Sequence, residues 1–150
     1  MTFTTIILKA AAAAKISGSL LLAICTYESG LTNAMVLHDG GSPTYGDCQV
    51  KLETAKMIGF KGTSQKLMDP EVNAKYAALY LKYQMERYGD DWAKIVAAYN
   101  AGSYNESKKV PGCPRNLQYI KNVKTYLEPM LREKLACGID IGDKEFADTE

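Results

Sequence analysis

Apolar positions along this chain recur at three- and four-residue spacing, the period of helices that each bury one face, and strict alternation is rare. Thr4 or Thr5 can cap a first helix through the alanine run to about Ile16, where Ser17-Gly18-Ser19 breaks it. A second helix runs from Leu20 to about Tyr27. The segment His38-Asp39-Gly40-Gly41-Ser42-Pro43 is a loop by composition, and a short β-hairpin between Met35 and Tyr45 is left open by the pattern. Lys51 to Ile58 reads as a helix stopped by Gly59. Asp69-Pro70 supplies an N-cap followed by proline at the first helical position. Val72, Tyr76, Leu79, Tyr80 and Tyr83 then mark the expected buried face, up to Gly89. Asp90 or Asp91 caps a helix through Trp92, Ile95, Val96 and Tyr99. After a loop from Gly102 to Pro114, Asn116 caps a last helix with Leu117, Ile120, Val123 and Leu127 inward, and Pro129 ends or kinks its first part.

The chain has 150 residues, 47% of them hydrophobic, which suits one compact domain with a core that folds without a metal or disulfide. A net charge of +1 supplies no global field toward nucleic acid. Lys108, Lys109, Arg115, Lys121 and Lys124 form a basic stretch, read first as a solvated helix face and second as a face for an anionic polymer. From Gly138 the chain turns acidic, through Asp140, Asp143, Glu145, Asp148 and Glu150, and a flexible tail is expected there.

Of the four cysteines, Cys25 falls in an apolar helix and reads as a reduced core thiol. A pairing of Cys113 with Cys137 is the alternative to free thiols at those positions. No C-x-x-C pair is present and His38 is the one histidine, so no metal site is expected. Met1 to Cys25 superficially resembles a signal peptide, but Lys9 and Lys15 interrupt the apolar run and no basic segment precedes it, so it reads as mature structure. No run approaches the roughly 18 apolar residues of a membrane span.

Four segments carry chemistry: Glu28-Ser29-Gly30, Gly46-Asp47-Cys48-Gln49, Ala97-Ala98-Tyr99-Asn100-Ala101-Gly102 and Tyr119-Ile120, with Asp69-Pro70-Glu71-Val72-Asn73 between the second and third. Glu28 ends an apolar helix just before a glycine lets the chain turn. A carboxyl in a partly apolar cleft has its charged form disfavoured, so it can hold a proton and protonate a glycosidic oxygen. Gln49 offers an amide to a sugar N-acetyl or hydroxyl group. Ser29 can bind a substrate or cap the helix end. Alone, each segment is a weak signal.

In this order and spacing, over roughly Leu20 to Leu127, the segments resemble the lytic transglycosylases that share a goose-type-lysozyme-like fold. The resemblance implies a mainly α, lysozyme-like domain with at most a small β-hairpin, here over residues 1–137, with 138–150 as a tail. It implies a cell-wall enzyme that cleaves the bond between N-acetylmuramic acid and N-acetylglucosamine without water and leaves a 1,6-anhydro sugar. Glu28 is then the catalytic acid and base, and Ser29, Gln49, Tyr99, Asn100 and Tyr119 bind substrate or orient Glu28. No cofactor is implied. The partners are peptidoglycan strands, with other proteins of a virion or secretion machine as a further expectation, because a wall-directed enzyme without a clear signal peptide needs delivery. The alternatives are a goose-type muramidase on the same fold and a non-catalytic glycan-binding virion module.

Two departures stand out. The family commonly has an apolar residue where this chain has Asp47, and Glu-Thr where it has Arg115-Asn116. Asp39, Asp47 and Glu53 are further carboxylates outside any defended pattern, and His38 is a loop histidine without a catalytic role. Tyr76, Tyr80 and Tyr83 lie at core spacing and are expected to pack rather than stack on sugar.

Overall fold

The computed structural model describes residues 1–38 and 41–127. It is mainly α-helical, with six helices and a three-stranded antiparallel sheet among the described residues. The chain divides into two compact units, one from Met1 to Tyr83 and one from Gln84 onward. The expected acidic tail, Pro129 and Asp39 lie outside the described residues.

In the first unit, α1 (Phe3–Ala14) is capped by the Thr2 hydroxyl, which accepts from the Thr5 N–H at 3.1 Å. The cap therefore falls before the expected Thr4 or Thr5; three threonines in four positions leave the choice to tertiary packing. Helix α2 (Gly18–Ser29) starts from the Ser17 side chain, which accepts from Leu20 N–H, so Ser17-Gly18-Ser19 is a start as well as a break. The buried face of α2 is Leu20, Leu21, Ala23, Ile24 and Cys25. Leu21 and Ile24 are fully enclosed, as is Ile7 on α1. Each such side chain contributes about 1.5–3 kcal/mol of burial.

Strands β1 (Met35–Val36), β2 (Thr44–Tyr45) and β3 (Val50–Lys51) pair in the order β1-β2-β3, with Met35 opposite Tyr45 and Thr44 opposite Lys51. The hairpin left open by the pattern is thus present, with one strand added. Helix α3 (Leu52–Met57) follows, and a 3-10 turn over Lys66–Met68 leads to α4 (Pro70–Tyr88). The Asp69 carboxylate accepts from Glu71 N–H at 2.9 Å, which is the expected cap.

The buried stripe of α4 departs from expectation. It is made of Asn73, Ala74, Ala77, Ala78, Leu81 and Gln84, together with Tyr80, whereas Val72, Tyr76, Leu79 and Tyr83 are only half-buried. Tyr76 instead meets Phe60 edge-on, with ring centroids 5.0 Å apart. The two buried amides find backbone partners described below.

In the second unit, α5 (Trp92–Ala101) is capped by Asp91, whose carboxylate accepts from Lys94 N–H at 3.1 Å. Helix α6 (Leu117–Lys124) buries Leu117, Ile120 and Val123. Asn116 stands at its start, but its side chain makes no capping bond. Lys121 is buried while Lys108 and Lys109 are exposed, so the basic stretch does not form one solvated face.

The reduced thiol expected at Cys25 is not found: Cys25 is disulfide-bonded to Cys48, 23 residues on, and both are fully buried. Both residues fall in apolar surroundings that a free thiol would also suit, and sequence spacing does not fix connectivity. Cys113 is disulfide-bonded too, and the partner expected for it, Cys137, lies outside the described residues.

Candidate active site

Glu28 occupies the last turn of α2 and is half-buried. The helix stops at Ser29 because Gly30 adopts the left-handed conformation (φ 64°) and returns its N–H to Thr26 O at 2.8 Å. The carboxyl is thereby held at the end of a helix whose other face is core.

The helix end is fastened to the Gly46–Gln49 turn from both sides of Glu28. Three residues before it, Cys25 is bonded to Cys48. One residue after it, the Ser29 hydroxyl donates to Asp47 O at 2.6 Å and accepts from Leu31 N–H at 3.0 Å. Ser29 is therefore both a helix-end residue and a tie to the second motif. The Asp47 carboxylate accepts from Asn33 N–H at 2.9 Å. Backbone strain concentrates in these segments: Leu31 (φ 59°), Asn33 (φ 52°) and Gln49 (φ 52°) are all left-handed without being glycine.

Gln49 is 9% exposed and its amide is engaged within the protein. Its Nε2 donates to Ala34 O and to Gly46 O, each at 2.8 Å, and its Oε1 accepts from the Thr44 hydroxyl. Both amide hydrogens are used, so Gln49 clasps the turn. His38 Nε2 lies 3.0 Å from the Thr44 hydroxyl. Because that hydroxyl spends its one proton on Gln49, His38 is the donor.

Asp47 is 2% exposed, and burial pushes its carboxyl pKa up, opposed in part by the Asn33 N–H. It is an internal part of the turn. The sign of the linkage follows: the protonated form is favoured in the fold, so its contribution is complete below the ordinary carboxylate range and is lost as pH rises through the raised value. Asp47→Asn is accordingly expected to melt higher than the wild type at pH 7, with the gap closing toward about pH 4. Melting curves of both proteins across that range check this, and an equal or lower Tm for the variant at neutral pH overturns it. Of the other carboxylates weighed, Glu53 is exposed and accepts from the Ser42 hydroxyl at 3.3 Å.

In the second unit the Ala97–Gly102 motif closes α5. Tyr99 is buried and Asn100 exposed. The helix end is secured by side chains that sequence reasoning did not single out. Gln84, fully buried, donates to Gly102 O at 3.0 Å, and Arg87 donates to the same carbonyl at 2.7 Å. Asn116 Nδ2 donates to Ala97 O at 3.0 Å and to Asn100 Oδ1 at 2.9 Å. That second bond orients the Asn100 amide, with its carbonyl toward Asn116 and its N–H groups turned the other way. The residue flagged as a departure from the family pattern therefore orients a motif residue. Tyr119 is buried on α6.

The first unit also holds a groove of about 400 Å³ lined by Ile6, Ala10, Ala13, Glu71 and Leu79 among others, and neither Glu28, Ser29 nor Gln49 borders it. Among the described residues no group of three or more His, Cys, Asp or Glu side chains is placed to hold a metal ion, and no helix is long and apolar enough to cross a membrane.

Residues 5–114 match the family model described as the transglycosylase SLT domain. The chain belongs to this family. Its fold is shared with solved SLT proteins. One is an inactive glutamate-to-glutamine mutant of the lytic transglycosylase Slt from Pseudomonas aeruginosa, with 24% identity and a TM-score of 0.58 over 65% of this chain. Another is the 70 kDa soluble lytic transglycosylase of Escherichia coli, with 25% identity and a TM-score of 0.57 over 81% of this chain. The matches span 16% and 19% of those proteins, so this chain corresponds to less than a fifth of either. All the motifs named above except Tyr119-Ile120 lie inside the SLT match.

Proposed function

We propose that this SLT chain is a peptidoglycan lytic transglycosylase that cleaves the β-1,4 bond from N-acetylmuramic acid to N-acetylglucosamine, with Glu28 as acid and then base. The observation that carries the reading is the construction around Glu28: a carboxyl at a helix end, fixed by a disulfide on one side and by Ser29 on the other, within the segment that matches the family. Asp47, the carboxyl of the second motif, is buried and engaged, which favours one catalytic carboxyl over the usual pair.

The chemistry then runs in two halves. Protonated Glu28 gives its proton to the glycosidic oxygen, and the N-acetylglucosamine side leaves as an alcohol. The substrate's own N-acetyl group stabilises the positive anomeric carbon. Ionised Glu28 next takes the proton of the muramic acid C6 hydroxyl, whose oxygen closes on the anomeric carbon to give the 1,6-anhydro ring. Glu28 ends protonated and no water is consumed. In this reading Asn100, Tyr99 and Tyr119 bind the sugar, and Gln49 and Ser29 act by holding the turn. Residues 1–137 form the functional domain.

The cysteines support a setting on the wall side of the membrane. Among the described residues none is a free thiol, and disulfides persist in oxidising compartments. Delivery by a virion or a secretion apparatus belongs to this proposal and rests on the phage-like look of the His38–Gly46 loop.

Digestion of purified sacculi followed by mass spectrometry tests the reaction. Products 18 Da lighter than hydrolytic muropeptides, as 1,6-anhydro ends require, are expected. Reducing ends would instead make the chain a muramidase, and binding without products would make it a glycan-binding module.

A further inference from the structure

Asn73 lies in the first turn of α4 and is fully buried, and its side chain bonds to backbone in three places. Nδ2 donates to Tyr45 O at 2.6 Å and to Leu67 O at 2.9 Å, and Oδ1 accepts from Cys48 N–H at 3.0 Å. Every hydrogen of the amide is used. Two of the three partners flank Gly46, and Gly46 itself is shaped to the amide: it is left-handed (φ 78°), and a Cβ there would collide with the Asn73 side chain. A buried side chain that grips only backbone, against a residue without a side chain, sets the course of the chain it grips.

What that turn carries gives the contact its meaning. Cys48 is bonded to Cys25, and Asp47 O receives the Ser29 hydroxyl. These two ties bracket Glu28. We propose that Asn73 is a positioning residue for the catalytic carboxyl: from α4 it fixes the Tyr45–Cys48 turn, and through that turn the last turn of α2. The inference rests on Glu28 being the acid and base. Asn73 does not touch the substrate. Its effect is on the placement of Glu28, where a displacement of about 1 Å can cost on the order of a hundredfold in rate.

The test uses Asn73→Ala, Asn73→Asp and Gly46→Ala in the full chain, assayed on soluble glycan strands well below each variant's Tm, with the disulfides verified by mass. Asn73→Ala and Gly46→Ala are each expected to lose roughly tenfold to a hundredfold in kcat with KM little changed. The double variant Gly46→Ala/Asn73→Ala should be no slower than the slower single variant, because both disturb one contact. Aspartate is nearly isosteric. As a carboxylate it cannot donate to Tyr45 O, whereas protonated it can, so the activity of Asn73→Asp relative to wild type should rise as pH falls while that of Asn73→Ala stays flat. Should Asn73→Ala fail to fold, the aspartate and Gly46 variants carry the test. Wild-type kcat in the variants overturns the proposal, as do losses that multiply in the double variant or changes confined to KM or Tm. Glu28→Gln is assayed alongside. If it is inactive while the Asn73 variants are normal, only the positioning role fails; if it is active, the reading of Glu28 itself has failed.

Discussion

Glu28→Gln is expected to abolish turnover of sacculi, lowering kcat by roughly a hundredfold to ten-thousandfold, while changing Tm by no more than a few degrees. Those magnitudes are what a general acid contributes to proton transfer. In the proposed mechanism one group serves both halves of the reaction, so loss at the upper end is expected. Glutamine keeps the size and polarity of the side chain at the end of α2, and the helix cap at Gly30 and the ties at Cys25 and Ser29 do not involve the carboxyl. The variant should therefore still bind glycan strands. Muropeptide release and sedimentation with sacculi, measured on one preparation, separate the two effects. Undiminished release would remove Glu28 from the mechanism. Lost binding together with lost release would mean that Glu28 holds the glycan in the ground state rather than acting in the transition state.

How much of the fold and of the candidate site is legible in the sequence varies with the physical signal. Helix positions were legible where a cap is unambiguous: Asp69-Pro70 and Asp91 leave one good choice each. The start of α1 was not, because Thr2, Thr4 and Thr5 compete as caps and packing decides among them. Two-residue strands are too short to show a period, so β3 left no trace in the pattern. The buried face of α4 departs from its apolar spacing for a more instructive reason. Apolar spacing points to the tyrosines, yet the buried stripe contains Asn73 and Gln84, whose cost of burial is offset by bonds to backbone carbonyls distant in sequence. The same blind spot covers the site. Glu28 was identifiable by its motif, and its neighbours by residue type, but what each side chain touches was not. The type of Gln49 offers an amide to any partner, and only the fold shows that this amide closes its own turn. Asn116 was expected to cap α6 and instead orients Asn100. Asn73 stood inside a recognised segment with no role to assign, because its partners are main-chain atoms that any residue type supplies.

Removing the Cys25–Cys48 disulfide by the double substitution Cys25→Ala/Cys48→Ala is expected to destabilise the protein by about 3 kcal/mol, the effect of releasing a loop of this length in the unfolded chain. For a domain of this size that corresponds to a fall in Tm of roughly 10 °C. Calorimetry of the wild type and the double variant under non-reducing conditions measures it, and a wild-type Tm would show that the cross-link is incidental to the fold. The same bond should behave asymmetrically toward reductant. Both sulfurs belong to residues with no exposed surface, so a thiolate reaches them only when the first unit opens. At ambient temperature dithiothreitol is therefore expected to leave the native enzyme oxidised and active for far longer than it leaves the heated or denaturant-loosened enzyme. The double variant should be active below its lowered Tm if Ser29 and Asn73 suffice to hold the turn, and kcat should fall further when Asn73→Ala is added, because the turn then loses the buried amide as well as the cross-link. That ordering follows from the placement of the three contacts on one short turn beside Glu28. A triple variant as active as the double would mean that neither the disulfide nor the buried amide sets where the carboxyl points.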